Sequence, residues 1–172
     1  MPRNVEIKAH ARDFDNQVRL AEKLEDRGIE HLVQEDTFFN APTGRLKLRV
    51  FGDGSGELIQ YERVDSADPA ESRYLRCPTD DPATLKEALT NALGIRGVVR
   101  KKRTVYLSGK TRIHMDQVDG LGSFIELEVV LDPDEDPADG VRVADELMSK
   151  LGIEAADLVK TAYIDALTTP QR

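Results

Sequence analysis

The chain has 172 residues, 40% of them hydrophobic and 33% charged, with no tryptophan. That length and balance predict one globular domain over residues 1–172 with a real core. A net charge of −8 argues against general nucleic-acid binding, which needs a basic footprint. The opening residues MPRNVEIKAHARDF hold no apolar run, so neither a secretory leader nor a membrane span is expected, and the expected location is cytoplasmic. Cys77 is the single cysteine; no internal disulfide can form, and no metal-ligand spacing surrounds it.

Taken in order, Asn4 to His10 alternates cleanly and predicts a strand. Asp13 reads as the N-cap of a helix through about Arg27, with an apolar stripe from Phe14 to Leu24 and Gly28 as its stop. Strands are predicted at Leu32–Asn40, Arg45–Phe51, Glu57–Val64 and Glu71–Cys77, separated by turns at 41–44 and 53–56 and a loop at 65–70. A short helix over Thr84–Leu93 ends at Gly94. Three further strands follow at Val98–Leu107, Lys110–Val118 and Ser123–Leu131. The run Asp132–Pro137 reads as an acidic, solvated linker. Helices are expected at Val141–Leu151, closed by Gly152, and at Ala155–Leu167.

The strands share one feature. Successive strand residues point to opposite faces, and nearly every strand carries one apolar and one charged face. Glu126 and Glu128 face one way while Ile125, Leu127 and Val129 face the other. Lys101 shares a face with Arg103, and Arg112 with His114 and Asp116. Arg45, Lys47 and Arg49 form a row of like charges, which repel unless acidic groups or an anion lie opposite. An antiparallel sheet with one wet side would show such faces; so would a closed eight-stranded barrel with charged faces turned inward, wide enough for one small ligand. His10, His31 and His114 are scattered and read as structural, although His114 lies on a charged face. Tyr61 and Tyr163 read as packing residues with a polar tip. Gly120-Leu121-Gly122 is not followed by a helix and reads as a hairpin turn, not a phosphate loop.

A triphosphate site needs several Lys and Arg to neutralise phosphate oxygens and carboxylates to hold Mg²⁺ or Mn²⁺, which prefer oxygen ligands. Glu6, Glu126 and Glu128 are candidate carboxylates; Lys8, Lys47, Arg49, Arg73 and Arg103 are candidate cations.

The segment Asn4-Val5-Glu6-Ile7-Lys8 resembles the Glu-x-Glu-x-Lys signature of the CYTH superfamily, the triphosphate tunnel metalloenzymes. That superfamily includes class IV adenylyl cyclases, thiamine triphosphatases and tripolyphosphatases. The likeness continues in order through Asp36-Thr37-Phe38-Phe39, Leu46-Lys47-Leu48-Arg49-Val50, Lys101 to Tyr106, Met115 to Phe124, Ile125-Glu126-Leu127-Glu128 and Val159 to Tyr163. The resemblance implies an α+β fold: an eight-stranded antiparallel closed β-barrel with helices packed outside. It implies metal binding by Glu6, Glu126 and Glu128, and phosphate binding by Lys8, Arg49, Arg103 and Lys160, with Lys47 and Arg73 as further members. Lys8, Arg49, Arg103 and Asp116 are the implied catalytic group, Asp116 orienting a neighbouring Arg or Lys. Two positions depart from the pattern. Asn4 stands where the signature has its first Glu and offers a metal only a neutral oxygen. The family's fourth-strand lysine is missing, with Arg63 or Arg73 as the substitute. The stretch from Gly120 to Glu128 looks most similar to the class IV adenylyl cyclase branch, which implies ATP converted to cyclic AMP and pyrophosphate. The alternatives are a phosphohydrolase acting on inorganic tripolyphosphate, thiamine triphosphate or a nucleoside triphosphate, and an inactive polyphosphate- or nucleotide-binding module. Homodimers would fit the family.

Overall fold

A computed structural model describes residues 2–63 and 66–168. Eight strands close into a barrel. They are β1 (Arg3–His10), β2 (Gly28–Phe39), β3 (Arg45–Phe51), β4 (Gly56–Arg63), β5 (Ala70–Thr79), β6 (Ile95–Ser108), β7 (Thr111–Val118) and β8 (Gly122–Leu131). Around the barrel the order is β1-β5-β4-β3-β2-β6-β7-β8, with each described neighbour antiparallel. Two meanders, β2 to β5 and β6 to β8, join edge to edge through β2 and β6, and β1 closes the gap between β8 and β5. The expected closed barrel with helices outside is the fold observed. Val64, expected as the end of the fourth strand, lies outside the described residues.

Among the described residues, four α-helices accompany the barrel: α1 (Phe14–Leu24), α2 (Pro82–Leu93), α3 (Pro137–Lys150) and α4 (Tyr163–Thr168). The apolar faces of β1, β7 and β8 turn outward beneath α1 and α3. Ile7, Ile113, Met115, Ile125 and Leu127 are buried there with Ala21 of α1 and Leu147 of α3. The main apolar core therefore lies between barrel and helices, and the alternate, charged residues of the same strands are left for the interior.

Gly140 shows how closely α3 seats on that surface. A methyl group there would come within 2.7 Å of Val5 Cγ2 and 2.8 Å of Leu131 Cδ2. Gly140→Ala is thus expected to lower stability by about 1–3 kcal/mol, the usual cost of overpacking a tight site, despite alanine's better helix propensity. Urea unfolding checks this; a variant as stable as the parent would mean that α3 slides without cost.

Several boundaries differ from expectation. The first helix stops at Leu24, not near Arg27, because the backbone N–H groups of Asp26 and Arg27 donate to Leu107 O at 3.0 and 3.3 Å and the Asp26 carboxylate accepts from Gly109 N. Asp13 makes no side-chain cap; its backbone N–H donates instead to Gln17 Oε1 at 3.3 Å. Part of the expected acidic linker opens α3, where Asp136 accepts from Ala138 N and Pro137 takes the first turn, a position suited to proline. The last predicted helix divides. Ala155–Asp157 is a single 3₁₀ turn, Leu158 bridges to Ala9 of β1, and Val159 N donates to Lys8 O at 2.8 Å. Pairing with the end of β1 holds this stretch extended, so helix resumes only at Tyr163. That last segment covers one end of the barrel, where Tyr163, Ile164 and Ala162 pack with Phe38, Val99 and Phe124.

A candidate triphosphate and metal site inside the barrel

The barrel encloses a cavity of about 580 Å³. Among the described residues, nine Lys and Arg and six carboxylates line it, whereas the whole chain carries −8. The interior is thus a locally cationic volume inside an acidic protein. Strand parity puts the side chains there, since Glu6 and Lys8, Lys47 and Arg49, Lys101 and Arg103, and Glu126 and Glu128 each lie two residues apart on one strand.

Register then sorts the charges. On one wall Glu6 lies opposite Glu128 and Lys8 opposite Glu126, and His114 lies opposite Glu126 on the other side. One donor atom from each of His114, Glu126 and Glu128 lies within 4.8 Å of the others. His114 Nδ1 is buried and has no hydrogen-bond partner among the described residues; it stands 3.6 Å from Glu126 Oε2 and 3.9 Å from Glu128 Oε1. Burial and the neighbouring Glu128 push the Glu6 carboxyl up to about 7. Burial also works against the Glu128 charge, but His114, Arg112 and Arg103 outweigh it and bring that carboxyl down to about 2. Crowded carboxylates with an orphaned imidazole nitrogen are a donor set that a divalent cation would satisfy. Asn4 is buried beside them, and its amide donates to Glu6 Oε1 at 3.4 Å.

Arg103 connects this wall to the next. It meets both oxygens of Asp116 at 2.7 Å and Glu126 Oε2 at 2.9 Å. Burial opposes its charge, but these carboxylates more than offset that and hold its pKa well above the ordinary value. Asp116 is fully buried and also accepts from the Tyr163 hydroxyl at 2.9 Å. Lys8 sits 3.8 Å above the Tyr163 ring, donates to Thr161 O at 3.2 Å, and lies 3.6 Å from Glu126 Oε1.

The opposite wall centres on Asp36. Arg49 grips it at 2.7 and 2.8 Å, Lys47 donates at 3.1 Å and Lys101 at 3.0 Å. Burial pushes the Asp36 carboxyl up, yet the three cations hold it well below the ordinary carboxylate range. Burial takes Lys101 down to about 7 against the pull of Asp36.

Eight of the ten residues singled out from the sequence are brought together here: Glu6, Lys8, Lys47, Arg49, Arg103, Glu126 and Glu128 line the cavity, with Asp116 directly behind Arg103. Two are not. Arg73 points outward, its side chain 61% exposed and bonded to Glu71 at 3.2 Å. The inward residues of β5 are Ser72, Tyr74 and Arg76. Of the two arginines considered as substitutes on the fourth and fifth strands, Arg63 is the one inside, 3.8 Å from Glu6 Oε2. Lys160 is exposed and lines no part of the cavity, whereas its neighbours Leu158 and Val159 are partly buried against the apolar clusters. Sequence reasoning missed Asp36, Lys101, Arg112, His114 and Tyr163 as members of the constellation. For Lys101, Arg112 and His114 the signal was present in their shared faces with Arg103 and Asp116.

The sequence profile of the CYTH domain matches residues 2–163. Adenylate cyclase CyaB of Aeromonas hydrophila is 28% identical over 141 residues, 78% of this chain and 72% of that protein. Among solved structures, the PH1012 protein of Pyrococcus horikoshii OT3 matches with a TM-score of 0.83 at 25% identity, covering 94% of this chain and 98% of its own. A Hippeastrum protein provisionally classed as an adenylyl cyclase, and described as having a dominant triphosphatase activity, matches with a TM-score of 0.64 at 14% identity over 97% of this chain and 94% of its own; that likeness is one of fold. With the profile running over nearly the whole chain and a barrel of the expected kind beneath it, the chain belongs to the CYTH domain family.

Proposed function

We propose that the chain is a metal-dependent enzyme that holds a triphosphate inside its barrel and converts ATP to cyclic AMP and pyrophosphate. The observation that carries this reading is the cavity itself: nine cationic side chains and a carboxylate cluster share one volume of about 580 Å³, a size suited to a small organic ligand. The similarity to a protein named adenylate cyclase supports the choice of reaction.

The residues divide the work. Lys8, Lys47, Arg49 and Arg103 neutralise phosphate oxygens by charge-assisted hydrogen bonds. Asp116 fixes the Arg103 guanidinium in one plane by its paired bonds, so the fork needs little reorganisation as charge moves on phosphorus. Arg63, with Nε and Nη2 buried and unpartnered among the described residues, has donors available for a further phosphate oxygen. Glu6, Glu126 and Glu128, with His114, would hold Mg²⁺ or Mn²⁺. The cation, when bound, would polarise a phosphoryl oxygen as a Lewis acid. In the cyclisation, the ribose 3′-oxygen bonds to the α-phosphorus, the bond from that phosphorus to the bridging oxygen breaks, and pyrophosphate leaves. The hydroxyl proton passes to a cavity carboxylate.

Product analysis tests the reading. With Mg²⁺ or Mn²⁺, ATP is expected to give cyclic AMP and pyrophosphate in equal amounts. Orthophosphate from ATP, tripolyphosphate or thiamine triphosphate would replace cyclisation by hydrolysis. Binding without any product would leave a triphosphate-binding module.

A further inference from the structure

The barrel interior is not charged throughout. Leu32 on β2, Phe51 on β3, and Val105 and Leu107 on β6 also line the cavity, and none of them joins an apolar cluster of the described residues. Their strands are neighbours. Phe51 lies opposite Gln34, two residues along β2 from Leu32, and Leu32 lies opposite Arg103, two residues along β6 from Val105. Diagonal neighbours of this kind are about 7–8 Å apart, within reach of long side chains. The four thus form a patch on one wall, away from the end covered by Tyr163. That patch adjoins the carboxylate cluster, since Val105 is directly opposite His114.

Gln34 sits at this patch. It lines the cavity, is only 3% exposed, and its Oε1 is buried with no hydrogen-bond partner among the described residues. Leaving a buried acceptor unpaired is costly, so a ligand that donates to it gains what the folded chain leaves unsatisfied. Electrostatics does not explain these five residues: the apolar four do nothing for phosphate, and an amide is a poor substitute for Lys or Arg.

Resting on the triphosphate reading, we propose that Gln34 and this apolar patch form the subsite for the organic end of the substrate, a flat nitrogen heterocycle bearing an amino group beside a ring nitrogen. The ring lies against Phe51 and the aliphatic side chains. Its amine donates to Gln34 Oε1 while the ring nitrogen accepts from Gln34 Nε2. Glutamine makes this paired contact with the N6/N7 edge of adenine. The adenine of ATP and the aminopyrimidine of thiamine triphosphate both present such an edge, as does guanine at its 2-amino group and N3; inorganic tripolyphosphate presents nothing. The chain therefore selects organic triphosphates over the inorganic one.

The test compares affinities of the full chain for ATP, GTP, thiamine triphosphate and inorganic tripolyphosphate, measured by calorimetry. Wild type is expected to bind at least one amino-bearing ligand more tightly than tripolyphosphate, and Gln34→Leu to shrink that ratio about tenfold, the discrimination a paired amide contact supplies. Phe51→Ala is expected to shrink the same ratio by about tenfold through lost stacking, and it supplies the measurement if Gln34→Leu does not fold. A loss confined to ATP identifies adenine as the source of the edge; a loss confined to thiamine triphosphate identifies the aminopyrimidine. Ratios unchanged in both variants, or a wild type that binds none of ATP, GTP and thiamine triphosphate more tightly than tripolyphosphate, would overturn the subsite and leave the triphosphate reading standing. A wild type that binds none of the four would overturn the triphosphate reading, and the subsite with it.

Discussion

Replacing Glu126 and Glu128 together by glutamine is expected to lower turnover of the triphosphate substrate by at least about 10³-fold. A Lewis acid is worth several kcal/mol of transition-state stabilisation, and each 1.36 kcal/mol is a factor of ten in rate. The fold should survive. Arg103 keeps both bonds to Asp116, and Lys8 keeps the Thr161 carbonyl and the Tyr163 ring. Arg112 loses its Glu128 partner, but its side chain is 31% exposed and remains hydrated. Two buried negative charges become neutral amides, which also removes a desolvation cost. The readouts are product formation, circular dichroism and Mn²⁺ binding by calorimetry. Saturable Mn²⁺ binding and near-parental turnover in the double variant would sink the metal assignment. Loss of turnover with Mn²⁺ binding intact would move the carboxylates from metal ligation to another role.

The barrel was legible because its strands carry a period-two signal of unusual contrast. In β1, Asn4, Glu6 and Lys8 alternate with Val5, Ile7 and Ala9, and in β8 Glu126 and Glu128 alternate with Ile125, Leu127 and Val129. Which face is inside a barrel is not set by parity, and there the resemblance supplied the answer. Register was not legible. Arg63 pairs with Ser72 and Glu62 with Arg73; residues directly opposite share a face, so Arg63 and Arg73 cannot both point inward. Choosing between them needs the pairing, which no property of either residue encodes. Lys160 failed for a different reason, since the extended link to β1 is made by backbone bonds to which side-chain periodicity is blind. Asp36 sits in Leu32–Asn40, where polar and apolar residues mix, and its partners Lys47, Arg49 and Lys101 come from two other strands. Tyr163 reads as an ordinary aromatic until Asp116 and Lys8 are placed around it.

Asp36→Asn is expected to destabilise the chain by about 3–5 kcal/mol at neutral pH, the usual cost of removing one partner from a buried ion cluster. The carboxylate is 1% exposed and serves three cations at once, all of them lining the same cavity. The pH dependence has a defined sign. The folded-state pKa of Asp36 lies well below its ordinary value, so its contribution is present above the unfolded value of about 3.9 and is lost as pH falls from there toward the folded value. The acid limb of wild-type stability should therefore be steeper than that of the variant. Lys101 acts in the other window. Its folded pKa of about 7 lies below its ordinary value of 10.5, so the burial cost of its charge is present below pH 7 and fades as pH rises toward 10.5. Stability rises with pH wherever the unfolded state binds more protons. Without Asp36 to support its charge, Lys101 should release its proton at lower pH, so the rise begins earlier in the variant, and this contribution narrows the gap between the two proteins up to about pH 7 and leaves it level from there to pH 9. Urea unfolding at pH 4, 7 and 9 reads all three. Equal stabilities at pH 7 would mean that Lys47, Arg49 and Lys101 need no internal counter-ion. Tripolyphosphate gives the complementary measurement: a polyanion seated among the same cations should raise the melting temperature of Asp36→Asn more than that of wild type, since ligand binding stabilises in proportion to RT ln(1 + [L]/Kd) and removing the competing carboxylate lowers Kd.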